Sequence, residues 1–176
     1  RDTDGTIITI DAVEEIMPQT ETLTQQALQE QVKPTLFINK IDRLITELKL
    51  TPKQIENKLT HIIDNFNNLI QIYTEPQINK QWQINPTKGN VTFGSALHKW
   101  GFTLDSMHQK AIKFTHIIDA YKNQNQQTLQ KTLPLHNSIL NMIITHLPNP
   151  TQAQKYRIPT IWKGNTKSEI GQAMRK

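Results

Sequence analysis

The residues best suited to chemistry are Asn39-Lys40-Ile41-Asp42, which follow directly on the apolar run Leu36-Phe37-Ile38. A carboxylate can accept two parallel, charge-assisted hydrogen bonds from a pair of adjacent donors. Guanine offers such a pair, its N1–H and its exocyclic amino group. Adenine offers an acceptor at N1 and no amino group beside it, so it would leave the carboxylate desolvated and unpaired. Asp42 is therefore the candidate base reader. Asn39 can present its amide to the N7 and O6 side of the ring and tie neighbouring loops together. Lys40 can lay its methylene stem along the ring face while its ammonium stays in solvent. A second group, Ser95-Ala96-Leu97, follows Val91-Thr92-Phe93-Gly94. If Ser95-Ala96 turns tightly, the backbone N–H of Ala96 can donate to O6, and the small side chains allow close approach. An Asn-Lys-x-Asp tetrapeptide alone arises by chance in many chains. Its position after an apolar strand, with a later strand ending in Ser-Ala-Leu, makes it specific.

The elements that must position these residues are legible as hydrophobic periods. Thr6-Ile7-Ile8-Thr9-Ile10 is β-branched throughout and reads as a buried strand of a parallel sheet ending at Asp11. Pro18 opens a helix with Leu23, Ala27 and Leu28 on one face. Pro34 to Ile38 is a second buried strand. Thr51-Pro52 starts a long helix carrying Ile55, Leu59, Ile62, Phe66, Leu69 and Tyr73 at steps of three and four. Residues 74–90, with Pro76, Pro86 and Gly89, read as a loop, and Val91-Thr92-Phe93 as a third strand. Residues 103–121 read as one helix, with Leu104, Met107, Ala111, Phe114 and Ile118 aligned. Asn123 to Gln127 is a polar break. Pro134 starts another helix, which Pro148-Asn149-Pro150 ends. The stretch with Tyr156, Ile158, Ile161 and Trp162 reads as strand. Alternating strands and helices predict an α/β fold, a parallel sheet with flanking helices. Ligands in such sheets bind outside the carboxyl ends of the strands, where Asp11, Asn39 and Ser95 lie.

Composition sets outer limits. The chain has 176 residues, 36% hydrophobic and 20% charged, with a net charge of +5. That is globular, on the polar side, and long enough for one domain and part of a second. The modest positive balance suits an anionic surface such as RNA, but no Lys/Arg run is dense enough to be an RNA-binding tract. The absence of cysteine excludes disulfides, thiolate zinc sites and thiol catalysis. No apolar stretch approaches the roughly 18 residues of a membrane span. The six histidines form no i, i+4 pair, so no helical metal site is expected. His98 and Lys99 are expected to make local hydrogen bonds, Trp82, Trp100 and Trp162 to pack, and Arg43, Lys49, Glu14 and Glu15 to face solvent.

Longer strings carry a resemblance. Asp4-Gly5-Thr6-Ile7, Asp11-Ala12-Val13-Glu14, Ile16-Met17-Pro18-Gln19-Thr20-Glu21, Leu36 through Arg43, Gly89-Asn90-Val91, Phe93 through Phe102, His146 through Pro150 and Ala153 through Pro159 resemble the archaeal-type elongation factor 2 family of translational GTPases. The likeness runs nearly end to end and is weakest over 60–85 and 115–132. Glu15 stands where many relatives have Gly, and Asp2-Thr3 replaces small apolar residues.

The resemblance implies an internal fragment: residues 1–147 as the C-terminal part of a P-loop-type GTP-binding domain, then 148–176 as a linker and the first strands of a β-barrel domain. It implies GTP or GDP as ligand, with Asn39, Lys40, Asp42, Ser95, Ala96 and Leu97 at the guanine. It further implies GTP-driven movement of tRNA and mRNA on the ribosome, contact with ribosomal RNA and proteins, a cytoplasmic location and a monomer. No Gly-x-x-x-x-Gly-Lys-Ser/Thr loop occurs in the chain. The phosphate loop, the Mg²⁺ ligands and the catalytic His of the family's Asp-Thr-Pro-Gly-His motif are expected ahead of Arg1. No catalytic and no metal-binding residue is therefore assigned. Two other readings stay open: a translational GTPase of the release or recycling step, and a truncated, non-enzymatic paralogue that binds ribosomal RNA or protein.

Overall fold

The computed structural model describes residues 3–174. A four-stranded sheet forms its centre, in the order β1 (Gly5–Asp11), β2 (Lys33–Asn39), β3 (Val91–Ser95), β4 (Trp100–Phe102). β1 and β2 are parallel, in register from Gly5 opposite Lys33 to Asp11 opposite Asn39. β2 and β3 are parallel from Leu36 opposite Val91 to Ile38 opposite Phe93. β4 returns antiparallel, with Ser95 opposite Trp100. The expected α/β architecture is thus present, with an antiparallel edge strand that periodicity did not announce.

Burial explains the strand compositions. β2 is buried from Pro34 to Ile38, as its continuous apolar run requires of a strand covered on both faces. β1 differs from expectation. Among the described residues it pairs with β2 alone, and of its residues only Ile10 is buried while Thr9 is exposed.

The crossovers supply the flanking layers. α1 (Pro18–Gln29) links β1 to β2. Between β2 and β3 lie α2 (Ile41–Thr46), α3 (Pro52–Tyr73) and α4 (Pro76–Trp82), then a 3₁₀ turn at Pro86–Lys88. The region expected as loop is therefore partly helical, and Trp82 anchors it in the core at 3% exposure. α3 begins as its sequence dictates: Thr51 and Gln54 form a reciprocal capping box ahead of Pro52. Its buried face carries Ile55, Ile62, Ile63, Phe66, Leu69 and Ile70, each worth about 1.5–3 kcal/mol of apolar burial.

After β4 come α5 (Leu104–Gln109), α6 (Phe114–Lys122), α7 (Gln126–Thr132) and α8 (Leu135–His146). The single helix expected over 103–121 is two. Ala111 takes a left-handed φ of 52°, and Ile112 N–H donates to the Met107 carbonyl at 3.0 Å. This is a Schellman-type stop, which an apolar pattern running straight through it does not reveal.

The last correction concerns the C-terminal stretch. Residues expected as strand form α9 (Pro150–Ile161), followed by α10 (Glu169–Ala173). Pro148-Asn149-Pro150 ends one helix but also starts the next: Asn149 caps it reciprocally with Gln152, and Pro150 takes its first turn. α9 is tied to the residues just ahead of β1 and to α4, where Tyr156 meets Trp82 edge-on at 5.8 Å. Ala153 and Ile158 are buried, and the Arg157 guanidinium donates to Asp4 Oδ1 at 2.6 Å and to the Thr3 carbonyl at 2.9 Å. Among the described residues no strand follows Phe102.

Candidate functional site

The site lies at the carboxyl ends of β1, β2 and β3. Parallel pairing sets Asp11 beside Asn39. Immediately after β2, Lys40 adopts a left-handed backbone, φ 65° and ψ 32°, at a cost of about 1–2 kcal/mol for a residue with a Cβ. Its N–H donates to Asn39 Oδ1 at 2.8 Å. Its ammonium meets Asp11 Oδ2 at 2.6 Å. The ammonium is thus ion-paired and not simply solvated, with the side chain 46% exposed.

Asp11, expected at the carboxyl end of β1 but given no role by its sequence, is the partner of Lys40. Its Oδ1 accepts from Val13 N–H at 2.8 Å and from Glu14 N–H at 3.4 Å. Burial pushes its carboxyl up, but the Lys40 ammonium and the two backbone N–H groups outweigh burial and hold it below the usual carboxylate range. The register of a parallel sheet was the available signal, since it places the ends of β1 and β2 side by side.

Asn39 joins the two candidate segments. Its Oδ1 also accepts the Ala96 N–H, at 2.9 Å. The tie between loops foreseen for Asn39 is present. The Ala96 N–H foreseen for a base oxygen is the donor of that tie. The turn itself spans Ala96 to Lys99, with Lys99 N–H donating to the Ala96 carbonyl at 3.3 Å. Ser95 is fully buried and accepts the His98 N–H at 3.2 Å through its hydroxyl, so its side chain shapes the turn from behind. Gly94 is required just before it: a Cβ there would lie 2.3 Å from the Trp100 carbonyl oxygen.

Asp42 carries the decisive feature. It is 5% exposed, and its Oδ1 is buried without any hydrogen-bond partner. Its Oδ2 lies 4.0 Å from His98 Nδ1, beyond hydrogen-bond range. Leaving a buried acceptor unmade costs about 1–3 kcal/mol. The carboxylate lines a cleft of about 460 Å³ with Asn39, Lys40, Arg43, Glu47 and Leu97. Arg43, expected in solvent, pairs with Glu47 at 2.8 Å on the cleft wall. A larger cavity of about 620 Å³ lies between α3 and the sheet, faced by Ile55, Leu59, Ile63, Phe93, Phe102 and Phe114. Its lining is mostly apolar, with Lys53, Glu56 and Thr60 of α3 as its polar members, and it lies apart from the Asn39–Asp42 loop. Among the described residues, no group of three or more His, Asp or Glu side chains is placed to hold a metal ion, and no helix is long and apolar enough to cross a membrane.

A sheet of this topology with these loops at its carboxyl end belongs to a known class. The chain is a member of the translational GTPase family: the model described as elongation factor Tu GTP binding domain matches residues 1–149. More particularly, it is 51% identical over 173 residues to an elongation factor 2 of Aeropyrum pernix, covering 97% of the chain and 24% of that relative. It is 50% identical over 171 residues to an elongation factor 2 of Methanococcus aeolicus, covering 97% and 24%. A third, from Pyrobaculum islandicum, is 48% identical over 171 residues, covering 97% and 23%. The chain therefore spans about a quarter of the length of the curated relatives it matches.

Proposed function

We propose that this chain is the base-reading segment of an elongation factor 2, whose binding and hydrolysis of GTP drive tRNA and mRNA through the ribosome. One observation carries the base-reading role: the buried, unpartnered Asp42 Oδ1 in a cleft lined by Asn39, Lys40 and Leu97. Guanine N1–H and its amino group would satisfy both carboxylate oxygens at once. Lys40, anchored by Asp11, lays its stem over one ring face. Asn39 turns its amide NH₂ toward N7. O6 takes the Leu97 N–H, and that of Ala96 when Asn39 Oδ1 releases it. Ser95 holds the turn and does not touch the base.

The rest of the nucleotide needs other residues. Nothing in this chain forms a Gly-rich phosphate loop, and the described residues offer no acidic cluster that fits Mg²⁺. On this reading phosphates and Mg²⁺ are held by residues of the full-length factor outside these 176, and this segment alone hydrolyses no GTP. The ribosome as partner, a monomeric state and the cytoplasm follow from the same reading. So does the division into a GTP-binding unit over 1–147 and a connection over 148–176 toward a β-barrel domain.

Inosine diphosphate tests the base contact, because it is GDP without the amino group that is one of Asp42's two donors. In the full-length factor, IDP should bind at least about tenfold more weakly than GDP, the worth of one charge-assisted hydrogen bond. Equal affinity would contradict the assignment of Asp42.

A further inference from the structure

Behind Asp42 stands a small aromatic network that base reading does not by itself explain. The Tyr121 hydroxyl, on α6, lies 2.8 Å from Trp100 Nε1 and 2.7 Å from His98 Nδ1. Trp100 is fully buried and Tyr121 is 7% exposed. The His98 and Tyr121 rings lie 5.5 Å apart, and Trp100 meets Tyr121 edge-on at 6.2 Å. His98 Nδ1 is also the nitrogen 4.0 Å from Asp42 Oδ2.

We propose that Tyr121 is a positioning residue for nucleotide selectivity: by donating its O–H to His98 Nδ1, it keeps the nitrogen nearest Asp42 free of a proton. The inference rests on the reading of Asp42 as the guanine acceptor. Its logic is one of donors. The Trp100 indole N–H can only donate, so it occupies a lone pair of the phenol oxygen. The Ser95 hydroxyl also reaches the phenol oxygen and donates to it, so the phenol proton goes to His98 Nδ1, which becomes an acceptor, and the imidazole proton sits on Nε2. A bare Nδ1 cannot make a charge-assisted bond to Asp42. Both carboxylate oxygens stay open to the two donors of guanine. Burial keeps the phenol protonated, pushing it above its ordinary range beyond what the Trp100 and Ser95 hydrogen bonds give back, with the Asp42 charge adding to the rise.

Without the phenol, Nδ1 is free to take a proton, and a small rotation closes the 4.0 Å gap to Asp42. The resulting internal hydrogen bond, with the imidazole proton on Nδ1, competes with guanine for the same oxygen. Selectivity here depends on excluding a rival donor, a device aimed against the wrong partner.

The experiment uses the full-length factor. Tyr121→Phe should weaken GDP binding by about tenfold, the scale of one partly screened charge-assisted bond. Adding His98→Ala to that variant should return GDP affinity to within about threefold of the parent, since the rival donor is gone. A merely structural role for Tyr121 predicts no such rescue. Because Tyr121→Phe also removes the acceptor of the buried Trp100 N–H, a second measurement needs no variant: the ¹⁵N spectrum of His98 should show Nδ1 as the unprotonated, pyridine-type nitrogen. A protonated Nδ1 in the unmutated protein, unchanged GDP affinity in Tyr121→Phe, or failure of His98→Ala to rescue would each overturn the proposal. The ¹⁵N result does not depend on nucleotide, so it separates failure of this network from failure of the guanine assignment, which the IDP comparison reports.

Discussion

The side-chain oxygen of Asn39 accepts the backbone N–H of Ala96 at 2.9 Å, across 57 residues of sequence. The same oxygen accepts the N–H of Lys40 at 2.8 Å. One amide thus fixes the ends of β2 and β3 relative to each other, and with them Asp42 and the Ser95–Leu97 turn. Asn39→Ala removes both bonds. It should cost about 1–2 kcal/mol of stability and reduce nucleotide affinity by more than tenfold in the full-length factor. Thermal unfolding and nucleotide titration check the two effects separately. A variant with lower stability but unchanged affinity would show that the tie is not needed for the pocket.

Asp11 holds the Lys40 ammonium at 2.6 Å and lies, when folded, below the usual carboxylate range. The sign of its linkage follows. A depressed folded pKa contributes stability that is fully present above the unfolded value of about 3.9 and is lost as pH falls through the lower folded value. Asp11→Asn should therefore cost about 1 kcal/mol near pH 7, as expected for a partly exposed pair. The difference from the parent should shrink as pH drops below about 4. Urea unfolding at a series of pH values measures this. A gap that widens in acid would contradict the assigned pairing.

Glu15 occupies a left-handed backbone position, φ 62°, where glycine is at ease and a glutamate is strained. Lys58 Nζ holds its carboxylate at 2.5 Å, and His61 Nε2 lies 3.8 Å away. Glu15→Ala keeps the strain and loses the ion pair, so it should destabilise by about 1 kcal/mol. Glu15→Gly loses the pair but relieves a strain of about 1–2 kcal/mol, so it should be neutral or better. Paired denaturation curves give the order Gly above Ala. The reverse order would show that the backbone position carries no penalty.

Much of this was written in the chain. The apolar runs of β2 and β3, the Thr51-Pro52 start of α3 and the Asn39 to Asp42 loop are local signals, and each local signal matched its final environment. What escaped notice depends on partners distant in sequence. The β-branched run of β1 does not say that, among the described residues, β2 is its one strand neighbour. Asp11 looks like a strand terminus until the register sets it against Lys40. The helix break at Ala111 is made by backbone hydrogen bonds, to which side-chain periodicity is blind. Pro150 reads as a stop because proline ends helices, yet proline after a capping Asn also begins them. At the candidate site, the Asn-Lys-x-Asp loop and its place after β2 are legible from the chain. The role of Ser95 as a buried turn-former and the engagement of the Ala96 N–H by Asn39 are not, because both depend on how two loops meet.

The central claim is that Asp42 reads the base by accepting two hydrogen bonds. Replacing Asp42 with Asn in the full-length factor exchanges one acceptor oxygen for a donor, which clashes with guanine and suits the carbonyl at position 2 of xanthine. The measurement is the ratio of dissociation constants for GDP and XDP in parent and Asp42→Asn proteins. GDP affinity should fall by about a hundredfold, near 3 kcal/mol, and XDP should become the preferred ligand. An Asp42→Asn protein that still preferred GDP to XDP would contradict the account.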